Sequence, residues 1–149
     1  MPSLRFLTLL TAALSATAHA ANTITIVNQC SYAVSIDELR GSSAISTSAL
    51  AVGATSAAFE YNDSALHLRA YTDSSIDYLA FEALINLNEV YYDFLESVGG
   101  SAIGNDFVLT TSSADCPGVD GADVNITPTD ENSTYMCAPG TAFTWTLCG

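Results

Sequence analysis

The residues best suited to chemistry crowd into one stretch. Asn88 to Gly100 reads NEVYYDFLESVGG and holds Glu89, Asp93, Glu96 and two tyrosines. Glu82 lies just upstream. Two carboxylates flanking a glycosidic bond can divide the acid and base roles, and their separation decides the stereochemical outcome. If 78–87 and 90–95 pair as a hairpin turning near Asn88, Glu82 faces outward nearer the open end. Asp93 then comes close on the neighbouring strand. Tyr78, Tyr91 and Tyr92 would supply rings for stacking on a sugar. An ordinary strand with a wet outer face produces the same pattern. Glu82, Asp93, Glu96, Tyr78, Tyr91 and Tyr92 are therefore read as a candidate acidic binding face, and no catalytic residue is assigned.

Other chemistry is scarce. His67 is the one histidine after residue 20 and reads as a surface residue of a strand. No serine sits in a G-x-S-x-G elbow. Gly99, Gly100 and Gly104 lack the lysine and following helix of a phosphate loop. The segment DCPGVDGADVN offers Asp115, Asp120, Asp123 and Asn125, but the spacing misses the EF-hand pattern and has no closing glutamate. Neither a metal nor a cofactor is expected.

The elements that must position these residues read as strands. Ile24 and Ile26 alternate with Thr23 and Thr25. Leu66, Leu68 and Ala70 alternate with His67, Arg69 and Tyr71. Over 78–87, Leu79, Phe81, Ala83, Ile85 and Leu87 share one face, and Tyr78, Ala80, Glu82, Leu84 and Asn86 share the other. Phe143, Trp145 and Leu147 alternate with threonines. Period two over β-branched and aromatic residues is the strand signal. Asn62-Asp63-Ser64, Thr72 to Ser75, Gly99-Gly100 and Pro117-Gly118 supply the turns. The Ser/Ala-rich segment 42–58 is an edge strand or a loop. The whole predicts an all-β fold, a compact antiparallel β-sandwich.

Residues 1–20 read as a secretory signal peptide: Arg5, an apolar run from Phe6 to Leu14, then Ala18-His19-Ala20. The run is too short to span a bilayer. One domain is expected over 21–149. With two arginines, no lysine and 16 acids, that segment carries a net charge of −14. Such a surface repels phosphate backbones and anionic lipids, so neither nucleic acid nor membrane is expected as a partner. Cys30, Cys116, Cys137 and Cys148 suit two disulfides in an exported chain, with three pairings open. Asn62, Asn125 and Asn132 head N-x-S/T acceptors for glycans.

Three stretches carry a family resemblance. TITIVNQCSYAVSI resembles the opening of thaumatin-like proteins. FEALINLNEVYYDFLESVGG resembles their Glu-bearing strand followed by a "YD-S" pattern and a glycine turn. FTWTLCG fits a last cysteine that closes onto the first. In size, the "YYD" motif and Cys116-Pro117, the chain is similar to the small secreted fungal thaumatin-like proteins, which include the yeast-phase-specific group. The resemblance implies a thaumatin-like sandwich stapled by two disulfides, found in the medium or at the cell wall as an antigen, adhesin or effector. Large plant members carry an acidic cleft linked to β-glucan binding and sometimes weak glucanase activity. By position, Glu82 and Asp93 match two of those acids. The chain departs in having four cysteines, no "GFN-P" continuation and no disulfide-rich second domain, which removes one wall of such a cleft. The expectation is a non-enzymatic, monomeric, secreted protein binding a polysaccharide such as β-glucan, or an extracellular protein. A weak β-1,3-glucan hydrolase and a structural wall component are the alternatives.

Overall fold

Alternating residues fold as strands along almost the whole chain. The computed structural model describes residues 22–41, 43–75, 77–124, 126 and 134–149. The signal peptide expected at 1–20 and the acceptors Asn125 and Asn132 lie outside the described residues.

Two sheets face each other. The first has five strands in the order β4 (Phe59–Glu60), β1 (Thr23–Asn28), β11 (Ala142–Leu147), β8 (Phe107–Thr111) and β9 (Val119–Asp120). The second has six: β10 (Tyr135–Cys137), β7 (Glu89–Glu96), β6 (Tyr78–Asn86), β5 (Leu66–Tyr71), β2 (Val34–Arg40) and β3 (Ser43–Leu50). The expected sandwich is thus present, with one difference in pairing. β1 and β11 run parallel, Thr23 opposite Ala142 through Asn28 opposite Leu147. A parallel pair needs a crossover rather than a hairpin, and here most of the chain lies between the two strands. The Ser/Ala-rich segment forms the edge strand β3, exposed from Ser43 to Ala49 and bulged where Glu38 and Leu39 oppose Ser46 and Ala44.

The core is aromatic. Phe81 packs on Phe94, Phe143 and Trp145, with ring centroids 5.4, 5.7 and 6.2 Å away. Tyr92 lies 4.8 Å from Phe143, and Phe94 lies 4.3 Å from Phe107. Ile24, Ile26, Ile36, Leu66, Leu68 and Leu79 are the largest fully buried aliphatic side chains around these rings. Burying one such side chain contributes about 1.5–3 kcal/mol.

Asn28 is the polar node of this core and is fully buried. Its Nδ2 donates to the carbonyls of Tyr32, Leu50 and Ala51 at 2.9, 2.9 and 3.2 Å. Its Oδ1 accepts from the Cys30 amide at 3.0 Å. One side chain therefore satisfies the loops that leave β1 and β3. Two disulfides complete the frame, Cys30 to Cys148 and Cys116 to Cys137. Asp120 caps a short 3-10 turn, Gly121–Asp123, by accepting from the Ala122 amide at 3.0 Å.

One alternation fails at its end. Leu87, expected on the buried face of its strand, is 86% exposed. Leu87 and Asn88 both have positive φ, 51° and 65°. They form the two-residue turn between Asn86 and Glu89, and the primed turn that suits a twisted hairpin needs φ > 0 at both positions.

Candidate functional site: an acidic face on the six-stranded sheet

Period two fixes which residues share a face. Cross-strand register then fixes which of them meet. On the outer side of the six-stranded sheet three rows run across the strands. His67, Glu82 and Asp93 make the first row, across β5, β6 and β7. Asp37, Arg69, Ala80 and Leu95 make the second. Ser35, Tyr71 and Tyr78 make the third. Successive rows stand roughly 7 Å apart, two residues of strand rise.

Glu82 and Asp93 are direct cross-strand partners. Residues so placed have Cβ atoms about 4.5–5.5 Å apart. The sequence reading had put Asp93 near the outer face of the strand that carries Glu82, and the register makes the two a pair. On the other side of Glu82, His67 Nδ1 lies 2.5 Å from Glu82 Oε1. Arg69 Nε then donates to His67 Nε2 at 3.4 Å. A chain of polar contacts thus runs from Arg69 in the second row to His67 and Glu82 in the first, with Asp93 beside Glu82.

Burial raises the Asp93 carboxyl to about 6, the Glu82 charge adds to the rise, and His67 opposes it. Partial burial disfavours the charged form of Asp93, and the Glu82 charge on the adjacent strand disfavours it further. In mildly acidic surroundings Asp93 is therefore a carboxyl able both to donate and to accept. Glu82 keeps 37% of its side chain exposed. Between the two acids and Tyr91 lies a depression of about 180 Å³, bordered also by Ala65, Leu84 and Thr134.

The other expected members divide. Tyr91 stays on the outer face and donates its hydroxyl to Glu89 Oε2 at 2.7 Å. Tyr78 is on the outer face too, but four residues along β6 from Glu82, about 13 Å away by strand rise. It lies in a second depression, under the Arg69 guanidinium, whose central carbon is 4.6 Å from the ring centroid. Tyr92 is a correction. Its ring is buried, stacked 5.4 Å from Tyr135, with its hydroxyl donating to the Pro117 carbonyl. The residue beside an outward Tyr91 must point inward. Glu96 is also corrected. Three positions beyond Asp93, it shares the parity of Tyr92 and Phe94 and sits opposite Leu79 at the end of the inner face.

His67 and Arg69 went unrecognised as neighbours of the acids in the sequence reading. Their outward parity was readable there; their register against Glu82 was not. Asn62 is exposed in the loop before β5, where its Oδ1 accepts from the Ser64 amide at 2.9 Å. Among the described residues no group of three or more His, Cys, Asp or Glu is placed to hold a metal ion.

Known proteins give this fold a context. The family model for Bys1, the Blastomyces yeast-phase-specific protein, matches residues 11–149. No curated protein matches the chain. Among solved structures, the protein elicitor MoHrip2 from Magnaporthe oryzae superposes with a TM-score of 0.70 at 20% identity, covering 87% of this chain and all of that one. The thaumatin-like xylanase inhibitor TLXI superposes with a TM-score of 0.62 at 11% identity, covering 85% of this chain and 99% of that one. At these identities the two structures establish the shared thaumatin-like fold.

Proposed function

Since the chain belongs to the Bys1 family of fungal yeast-phase-specific proteins, we propose that it acts outside the cell as a non-enzymatic protein of the fungal surface or host interface. Its acidic sheet face would bind a neutral polysaccharide of the β-glucan type. The observation that carries this reading is the Glu82–Asp93 pair, set on an open strand face beside Tyr91. Carboxylates accept sugar hydroxyls, an aromatic ring covers a sugar's apolar side, and a neutral ligand avoids the repulsion that this acidic surface imposes on anions. The disulfides fit an oxidising, extracellular setting.

Hydrolysis is the weaker use of the same pair. Cross-strand pairing brings two carboxyl-bearing side chains to adjacent positions, as a glycosidase requires. But hydrolysis works best in a closed, water-excluded site, whereas this pair stands on an open strand face with Glu82 partly exposed and tied to His67. A protein partner is the second reading. It draws on the solved neighbours, an elicitor and a xylanase inhibitor.

The test is retention of the protein on insoluble β-1,3-glucan, chitin and cellulose, with Glu82→Ala/Asp93→Ala alongside and released sugar assayed. Retention on glucan that drops at least tenfold in the double variant, without sugar release, is expected. Sugar release by the wild type would make it an enzyme. No retention on any polysaccharide would overturn the glucan reading and leave the protein-partner one.

A further inference from the structure

The second depression on this face contains an unusual pair of charges. Asp37 and Arg69 are direct partners across β2 and β5. Opposite charges so placed on a solvated sheet normally pair with each other. Here no ion pair joins them among the described residues. Asp37 Oδ1 instead accepts from Tyr71 Oη at 3.1 Å and from Thr47 Oγ1 at 2.6 Å. Arg69 lies over the Tyr78 ring and donates through Nε to His67. Asp37 Oδ2 and the terminal nitrogens of Arg69 have no hydrogen-bond partner among the described residues. The other described arginine, Arg40, does pair with a carboxylate, Glu38 at 3.1 Å, and donates to the Glu60 carbonyl, while its buried Nη1 has no partner among the described residues.

Both open groups border one depression of about 250 Å³, whose remaining walls are Tyr71 and Tyr78. These two rings are themselves direct partners across β5 and β6. One acceptor, one forked donor and two aromatic walls therefore converge, and each charged group is held by neighbours rather than by the other. A pair of adjacent hydroxyls on a sugar ring fits this set. One hydroxyl donates to Asp37 Oδ2 while the neighbouring oxygen accepts from Arg69. The two charges together are neutral, which suits an uncharged ligand.

We propose that Asp37, Arg69, Tyr71 and Tyr78 form a second sugar subsite, continuous with the Glu82–Asp93 depression through the His67–Arg69 contact, so that one glycan chain spans both. This inference rests on the glucan reading above and extends it from a point to a track across the sheet. A track makes affinity grow with ligand length until both depressions are filled, because the second contact is made by a ligand already held.

The experiment is calorimetric titration of the disulfide-bonded protein with soluble β-1,3-gluco-oligosaccharides of increasing length. Asp37→Asn, Arg69→Gln and Tyr71→Phe are titrated in parallel, with thermal melts to confirm that each is folded. Tyr71→Phe keeps the ring and removes only one of the two hydroxyls that hold Asp37. The wild type should tighten with length. Asp37→Asn should bind short oligomers as the wild type does and long ones about tenfold more weakly, the scale of one charge-assisted hydrogen bond, and Arg69→Gln, which also loses the contact to His67, should weaken long oligomers at least as much. Wild-type tightening with length that persists unchanged in all three variants would overturn the second subsite and leave the acidic pair standing. Failure of every oligomer to bind the wild type would overturn both readings together.

Discussion

Asp93 titrates near pH 6 because it is partly buried beside Glu82. An unfolded chain would hold this carboxyl at the ordinary aspartate value, about 3.9. Between those values the native state binds more protons than the unfolded one, so stability falls as pH rises toward 6 and stays lowered above it. Asp93→Asn removes that titration. Urea unfolding at about pH 7.5 should show a gain on the order of 1 kcal/mol, discounted for the solvent screening of a half-exposed group, and little change at about pH 4. A gain of equal size at both pH values would mean that Asp93's charge is not the cause. The Tyr91 phenol is raised too, by a different cause, chiefly the hydrogen bond it gives Glu89. Asn28 carries the opposite lesson for reading residues. It stands in the sequence as an ordinary polar residue before a cysteine, yet it is fully buried and holds three carbonyls and an amide. Its partners come from loops that only the fold assembles.

At the scale of elements, the β6–β7 hairpin shows how far alternation reaches. Leu79, Phe81 and Ala83 are buried as their period demands. The turn was foreseen near Asn88, and the alternation was carried one residue too far, because leucine is a poor marker of positive φ. A left-handed conformation costs a non-glycine residue roughly 1–2 kcal/mol. Leu87 buries almost nothing in return, being 86% exposed. Leu87→Gly should therefore stabilise the protein by about 0.5–1 kcal/mol, read as a higher urea midpoint at unchanged slope. A lower midpoint would show that Leu87 makes a contact worth more than its strain. The acidic face was legible to the same depth. Parity separates Glu82 and Asp93 from Glu96 and separates Tyr91 from Tyr92, so those two misplacements were avoidable by counting along one strand. The pairing of His67 with Glu82 and of Asp37 with Arg69 depends on register between strands far apart in the chain, and local pattern carries no such information.

At the scale of the whole molecule, two disulfides close loops of very different size. Cys30 and Cys148 are 118 residues apart, and Cys116 and Cys137 are 21 apart. The entropy removed from the unfolded chain grows with loop length, so replacing the first pair by alanines should cost about 4–5 kcal/mol and the second about 3 kcal/mol. Denaturant unfolding of the two double variants checks the order, and a costlier second pair would place the stabilisation in native contacts instead. The long bridge reinforces a junction that the backbone already makes. β1 lies inside its sheet, between β4 and β11, and its partner β11 comes at the far end of the chain. That arrangement has a consequence for the order of assembly. Until β11 arrives, one side of β1 has nothing to pair with, and Ile24 and Ile26 lack their cross-strand neighbours Phe143 and Trp145. A half-made chain therefore has no stable sandwich to settle into and remains a pliable thread. Were the chain to pass lengthwise through an export channel, as the proposed extracellular role requires, a first strand that waits for the last would keep it threadable until the whole chain is through.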